Sequence, residues 1–442
     1  MRTVRKRRAT CYYNYKPARG FACSVVGSAA ALNFNPGMTD PVPLRMTALE
    51  IRASVSLASI FALRLLGLFL ILPVFAVYAE SIPGGTDATL VGIALGIYGL
   101  TQGLLQIPYG AASDRWGRKP VIAAGLIVFA AGSFIAAAAT DIVWTIVGRA
   151  IQGAGAISAA VTAFIADSTR DAHRTKAMAL VGGSVALTFA GSLVLAPLLY
   201  PLIGVRGLFA MTGVLVVMAI GVLFWVVPAA LPTNTKAKED GRSSTRAVLL
   251  DRQLLRLNIG IFILHTVLMA MFVVLPILMV QGGLPLPDHW KIYFPAVMLS
   301  FALMAKPLIV AERRRLMRPL FLGSIVLVLA AQLGLLLLGD TLLMMTLWLL
   351  IFFTGFNILE ASLPSLVSRV APPSAKGLAL GIYNTAQALG LFAGGALGGV
   401  IAARWGSGAV FVFAAIVTAG WWLIALGMRE VPVTTASAPV PV

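Results

Sequence analysis

What most limits this chain is a series of apolar stretches, each about 20 residues long and nearly free of charge. They fall near 54–78, 89–112, 120–140, 142–166, 176–200, 206–228, 256–280, 290–311, 319–339, 341–366, 376–402 and 408–428. An α-helix rises about 1.5 Å per residue, so each stretch is long enough to cross some 30 Å of hydrocarbon. Composition agrees: 11% of the 442 residues are charged and mean hydropathy is +0.92, whereas about a quarter of a soluble domain is charged. The expected fold is therefore an all-α integral membrane protein with twelve transmembrane helices. Ten or eleven is the alternative count, because 142–166 and 341–366 abut their neighbours.

A net charge of +18 would ordinarily raise the question of nucleic acid, but the basic residues sort by loop. Alternate connections carry Arg115, Arg118 and Lys119, then Arg170, Arg174 and Lys176, the basic run from Lys236 to Arg256, the cluster Arg313–Arg315 with Arg318, Arg369 with Lys376, and Arg429. The intervening connections hold Arg206, Lys291 and Arg404. This asymmetry is the positive-inside pattern. It predicts a multi-pass protein of the cell inner (plasma) membrane with both termini cytoplasmic, and no nucleic-acid partner. Cys11 and Cys23 both lie before Met46, so neither a disulfide framework nor a metal site is expected.

Residues 1–50 form a basic tail in which no packed domain is expected. It reads either as a targeting segment or as sequence preceding an internal start at Met46, the second being preferred. The polar stretch 229–255 reads as a cytoplasmic linker between a first six-helix half, 51–228, and a second, 256–428. A short tail, 429–442, follows, with no appended soluble domain expected. A faint repeat crosses the linker: "HRTKAMALVGGS" (173–184) matches "PSAKGLALGIYN" (373–384), and "GRKPVI" (117–122) matches "RLMRPLFL" (315–322). Two similar halves that start on the same side imply parallel repeats, with a substrate site near the midplane between them.

"YGAASDRWGRKP" (109–120) packs Asp114, Arg115, Arg118 and Lys119 beside Gly110 and Gly117. Orientation charges account for Arg118 and Lys119 but not for the acid or the glycines. Asp114 is suited to face the N-terminus of a neighbouring helix. The stretch resembles the loop signature of the major facilitator superfamily, G-x-x-x-D-R-x-G-R-K, at Gly110, Asp114, Arg115, Gly117, Arg118 and Lys119. "GRAIQGAGA" (148–156) resembles that superfamily's fourth-span motif at Arg149, Gln152, Gly153 and Gly155. From about Met46 to Arg429 the chain is similar to the YajR-type proton-driven efflux transporters of the superfamily. In the fifth span the Gly-Pro of drug:proton antiporters stands as Ala196-Pro197. The resemblance implies that Asp114 and Arg118 belong to a cytoplasmic latch between the halves, with Asp167 as acidic partner of the basic loop.

Ionisable residues within spans are costly unless paired or functional. Arg64, Arg149, His265 and Glu360 are the candidates. Glu360 is the expected proton carrier, with Asn357 on the same helical face to orient it; the bland reading is a structural Glu–Arg pair. His265 either titrates or is a satisfied interior imidazole. Arg64 and Arg149 either hold an anionic substrate or neutralise carboxylates. Tyr98, Gln102, Gln106, Tyr383, Asn384 and Gln387 are expected to line the cavity or to bond between helices. The glycines of "GLFAGGALGGVI" (390–401) form no phosphate loop; small residues at that spacing let membrane helices approach closely.

No catalytic or cofactor motif is visible, so an enzyme is not expected. The expected function is proton-coupled efflux of a small solute by alternating access. The proton gradient supplies the energy, no cofactor takes part, and the protein works as a monomer in the lipid bilayer. The alternatives are a proton-coupled importer of a small anionic solute and a non-transporting membrane sensor or assembly protein.

Overall fold

The computed structural model describes residues 46–228, 248–372 and 375–430. The expectations for the tail before Met46, for most of the linker and for the final residues lie outside that set. Its helices are α1 Ala48–Phe69, α2 Phe75–Ala79, α3 Ala88–Trp116, α4 Arg118–Ala138, α5 Ile142–Ala154, α6 Ser158–Asp167, α7 Asp171–Trp225, α8 Arg252–Gln281, α9 Trp290–Arg314, α10 Met317–Leu338, α11 Leu342–Val370 and α12 Lys376–Leu426.

Ten helices of the described residues are long and apolar enough to cross a membrane. Two of them, ending at Trp225 and Leu426, run for 50 and 51 residues, about 75 Å if straight and more than twice the hydrocarbon thickness. Each has one non-helical residue, Gly204 (φ 62°) and Gly406 (φ 80°), a backbone region open to glycine and closed to most side chains. Each long helix is thus two crossings folded at a glycine, which reconciles ten helices with twelve spans. Two expected spans are interrupted. The first ends as helix at Phe69, four residues before Pro73, whose ring and missing N–H oppose helix continuation. The fourth breaks at 155–157, between α5 and α6.

The two sets of six crossings carry matching polar ties at one face, here called the basic face. Lys119 donates to the carbonyl of Val227 (2.6 Å), and about 200 residues later Arg318 donates to that of Leu426 (2.7 Å). Arg52 reaches Trp225 O and Arg256 reaches Gly427 O. In each half a cation thus meets the C-terminal carbonyls of the last crossing, where the helix dipole favours positive charge. At the opposite face Asp141 caps Trp144 N and Thr341 caps Met344 N, again at matching positions. Side chains such as Leu202 and Trp225, 78% and 84% exposed, face outward where the bilayer solvates them.

The halves meet along α12. On one edge, Gly395 and Gly399 press against Ala88 and Gly92 of α3, Phe392 against Gly96, and Ala388 against Gly99. On the other, Gly390, Gly394 and Gly398 press against Phe262, Thr266 and Ala270 of α8. Thr266 Oγ1 donates to Gly390 O across that edge (3.2 Å). Backbone touches backbone, because a Cβ at Gly395 would overlap the Gly92 carbonyl. The α3 seam runs from the opposite face to mid-membrane. Nearer the basic face, a Cβ at Gly377 or Gly381 of α12 would meet no described atom within 4 Å. The halves are therefore interlocked at the opposite face, and among the described residues the close contact of α12 does not extend to Gly381 and Gly377 toward the basic one. A cavity of about 220 Å³ lined by Glu80, Thr86, Val91 and Val273 lies at the closed end.

Gly395→Val should lower stability by at least about 1–3 kcal/mol through overpacking. Gly381→Val, with open space around it, should change it by no more than about 0.5 kcal/mol. Thermal unfolding in detergent, followed by tryptophan fluorescence, reads the difference.

Candidate functional site

Three polar clusters stand out. The first fills the interior of the N-terminal half, where Arg64 and Arg149 are almost wholly buried, 0% and 1% exposed. Arg64 donates to Gly155 O (3.0 Å), Ser158 Oγ (2.9 Å) and Gln102 Oε1 (3.2 Å). Gly155 terminates α5 at the mid-membrane break, so Arg64 supplies the donors and the positive charge that a helix C-terminus wants. Arg149 donates to Gln152 Oε1 (2.6 Å) and to the carbonyls of Gly67, Ala94 and Leu95, and Gln152 passes the chain on to Ser133 Oγ (2.9 Å). Both guanidiniums lie over the Tyr98 ring, at 5.6 and 5.0 Å from its centroid. A Cβ at Gly153 would overlap the Tyr98 carbonyl, so the fourth-span motif holds α5 against α3. Expected cavity residues Tyr98 and Gln102 belong to this arginine network, and Gln106 is fully buried beside it on α3. The guanidiniums are committed to internal acceptors, and no carboxylate pairs with them among the described residues.

The second cluster lies in the C-terminal half, where α8, α11 and α12 meet. His265 Nδ1–H donates to Ile261 O (3.2 Å), which leaves Nε2 as an acceptor. Gln387 spends its amide hydrogens on both neighbours, one on His265 Nε2 (2.9 Å) and one on Glu360 Oε1 (3.2 Å). Glu360 Oε2 is shielded, has no hydrogen-bond partner among the described residues, and lies 3.8 Å from His265 Nε2. His265 is buried, while the Glu360 side chain keeps 27% exposure. The partner of Glu360 is thus an amide and an imidazole, not the arginine of the bland reading. Asn357 does not orient it: the Asn357 amide donates to Ser300 Oγ on α9 (2.8 Å). Tyr383 is buried on α12 with its hydroxyl unpaired among the described residues, and Asn384 is half-buried beside it.

The third cluster is the loop at the basic face. Gly117, at φ 93°, makes the turn between α3 and α4, a conformation that needs glycine. Beyond it Arg118 pairs with Asp114 (2.7 Å) and Asp167 (2.8 Å) and donates to Ser113 Oγ (2.7 Å). Arg115 is exposed, and Lys119 caps the end of α7. These partners join α3, α4 and α6 within the first half. Gly110 gets no steric reason here, since its nearest neighbour is an ordinary contact with Ala159. One tie was missed in the sequence. Glu50, buried at the start of α1, completes a capping box with Thr47 and binds Arg170 through its backbone N (2.9 Å) and Nε (2.8 Å). The spacing "TALE" (47–50) carried that signal.

Arg64→Met should unfold the α5–α6 break, because it leaves three buried acceptors without a donor, at about 1–3 kcal/mol for each unpaired group. Thermal unfolding of the purified variant measures it, and Gln102→Met should cost less.

Over residues 57–394 and 317–442 the chain matches the Major Facilitator Superfamily. It is 42% identical to the inner membrane transport protein YajR of Escherichia coli K12, over 88% of this chain and 86% of that one. It is 28% identical to the multidrug resistance protein MdtH of Yersinia enterocolitica, over 75% and 81%. The structure superposes on a bacterial homologue of the human lysosomal transporter Spinster, in an inward-facing and occupied conformation. The TM-score there is 0.69 and sequence identity 13%, covering 87% of this chain and 98% of that one. With twelve crossings in two repeated sets of six, the loop motif at 110–119 and this span of sequence identity, the chain belongs to the major facilitator superfamily and is a membrane transporter, not an enzyme.

Proposed function

We propose that this transporter is a proton-coupled exporter of a small solute, working by alternating access from the inner membrane. The observation that carries the reading is the Glu360–Gln387–His265 cluster. It holds an acid with an unsatisfied oxygen, an imidazole within 3.8 Å and an amide bridging them, all inside the membrane. An ionised carboxylate there is expensive, and a proton removes the charge. With a proton on either group, a small approach across that gap lets one donate to the other, so the pair is suited to accept and pass protons. Export is supported by the similarity to MdtH, a multidrug resistance protein, and by the 42% identity to an inner membrane transport protein.

In this reading the basic face is cytoplasmic, as the loop charges favour, and both termini lie there. The conformation is then inward-open: parted at the cytoplasm and sealed outside by the α3–α12 seam. Arg118, Asp114 and Asp167 form a charge cluster within the first half, which acts as a latch if rocking brings groups of the second half up to exchange these pairings. The protein works as a monomer with protons and a small solute as its partners, and the proton gradient drives it without a cofactor. Import of an anion by an Arg64–Arg149 clamp is less well supported, because both guanidiniums are already saturated by protein acceptors.

Proteoliposomes with an imposed pH gradient, screened against a panel of small solutes, test this. Glu360→Gln should reduce coupled flux at least about tenfold, and Asp114→Asn should abolish transport while expression and insertion persist. Unchanged flux in Glu360→Gln ends the proton-carrier reading.

A further inference from the structure

Among the described residues the amide of Gln387 is the one group hydrogen-bonded to both members of the proton-exchanging pair, and it sits on the helix that forms the seam between the halves. Its chain neighbour Ala388 packs its carbonyl against Gly99 of α3, and Leu389 packs against Gly103. Three residues beyond Gln387, Gly390 packs against Phe262 and accepts a hydrogen bond from Thr266, the residue after His265. Any shift of the Gln387 side chain that draws on its backbone is therefore felt directly at the α3 contact. We propose that Gln387 is the positioning residue that passes the protonation state of Glu360 and His265 to the α3–α12 seam, and so sets whether the opposite face is closed. The inference rests on the proton-coupled reading above.

The logic is that of donors and acceptors. With His265 neutral and Glu360 ionised, both face Gln387 as acceptors, and its two amide hydrogens satisfy both at once. α12 is then tied to α8 and α11 together. A proton on His265 Nε2 sets two N–H donors against each other where a 2.9 Å hydrogen bond stood. The amide can invert and offer its oxygen to His265, but that oxygen then faces the ionised Glu360. With that proton on His265, Gln387 can serve only one partner and α12 loses one of its two ties, whereas a proton on Glu360 Oε2 leaves Oε1 an acceptor and both ties stand. With two protons, the inverted amide accepts from both, and the ties are restored in a second arrangement. A bridging amide of this kind has discrete states, which a two-state carrier needs. Among the described residues the other titratable group facing the cluster is Tyr383, on α12 itself, within reach of the Glu360 charge. On α3, Tyr98 is occupied by Arg64 and Arg149, and the cation of α10, Arg318, sits at the basic-face end.

The test uses full-length protein in lipid nanodiscs, with Cys11 and Cys23 replaced by serine and spin labels at Ser81→Cys and Arg404→Cys. Both labels are exposed at the opposite face, one on each half. Double electron–electron resonance reads the open fraction of that face between about pH 5 and pH 9, a range that spans imidazole titration. In parallel, the infrared carboxyl band lost in Glu360→Gln reads Glu360 protonation. In the parent the open fraction is expected to change with pH, and in Glu360→Gln it is not. In Gln387→Met, of similar length but without the amide, the pH-driven change is expected to shrink at least about fivefold, the low end of ordinary coupling. The carboxyl band still titrates. Gln387→Asn, too short to reach both partners, should be reduced likewise and replaces the Met variant if that one fails to fold. A Gln387→Met protein that opens with pH like its parent overturns the proposal, as does one in which Glu360 no longer titrates. A parent that does not respond to pH overturns the proton-coupled reading itself.

Discussion

The structure depends on one arrangement: α12 is wedged between α3 and α8 with almost no side chain on either contact edge. Two helices whose backbones touch gain dispersion contacts along their length, and in lipid these carry association, since no hydrophobic driving force distinguishes a helix from its solvent. Such a seam can part with little repacking, because most of its contacts are between backbones. The same helix thus holds the halves together at one face and leaves them apart at the other, where Gly377 and Gly381 meet open space among the described residues.

The two interior polar clusters differ in how completely they are satisfied, and in the proposed reading that difference separates scaffold from machinery. Each arginine of the N-terminal half is bound by several internal acceptors and rests on a shared aromatic face. Changing any part of that network leaves buried groups unpaired, so it behaves as a rigid block. The Glu360 cluster is held by a single amide, with one carboxylate oxygen unsatisfied among the described residues. A transporter needs both: a half that moves as a body, and a site within the membrane whose hydrogen bonding can change.

Much of this could be read in the sequence. Hydropathy located the crossings because lipid imposes a length and a composition on every span. The glycines of 390–401 announced close helix contact, and the loop at 110–119 announced the superfamily. Partners were harder. Helical spacing placed Asn357 on the Glu360 face, but its amide bonds Ser300 of another helix, a choice that only tertiary packing makes. Tyr98 and Gln102 had the polarity of cavity residues, and their neighbours turned out to be buried arginines. The mid-membrane breaks after Phe69 and at Gly155 were invisible to hydropathy, since apolar turn residues extend an apolar run as well as helical ones do.

The central claim is that closure at one face and opening at the other are a single motion about the α12 seam. Single cysteines at Val91, in the closed cavity, and at Gly381, on the open side, report on the two faces when labelled by a membrane-impermeant thiol reagent in protein lacking Cys11 and Cys23. Across a pH series, every condition that speeds labelling at position 91 is predicted to slow it at position 381. Rates that rise and fall together, or that change at one position alone, would contradict the account.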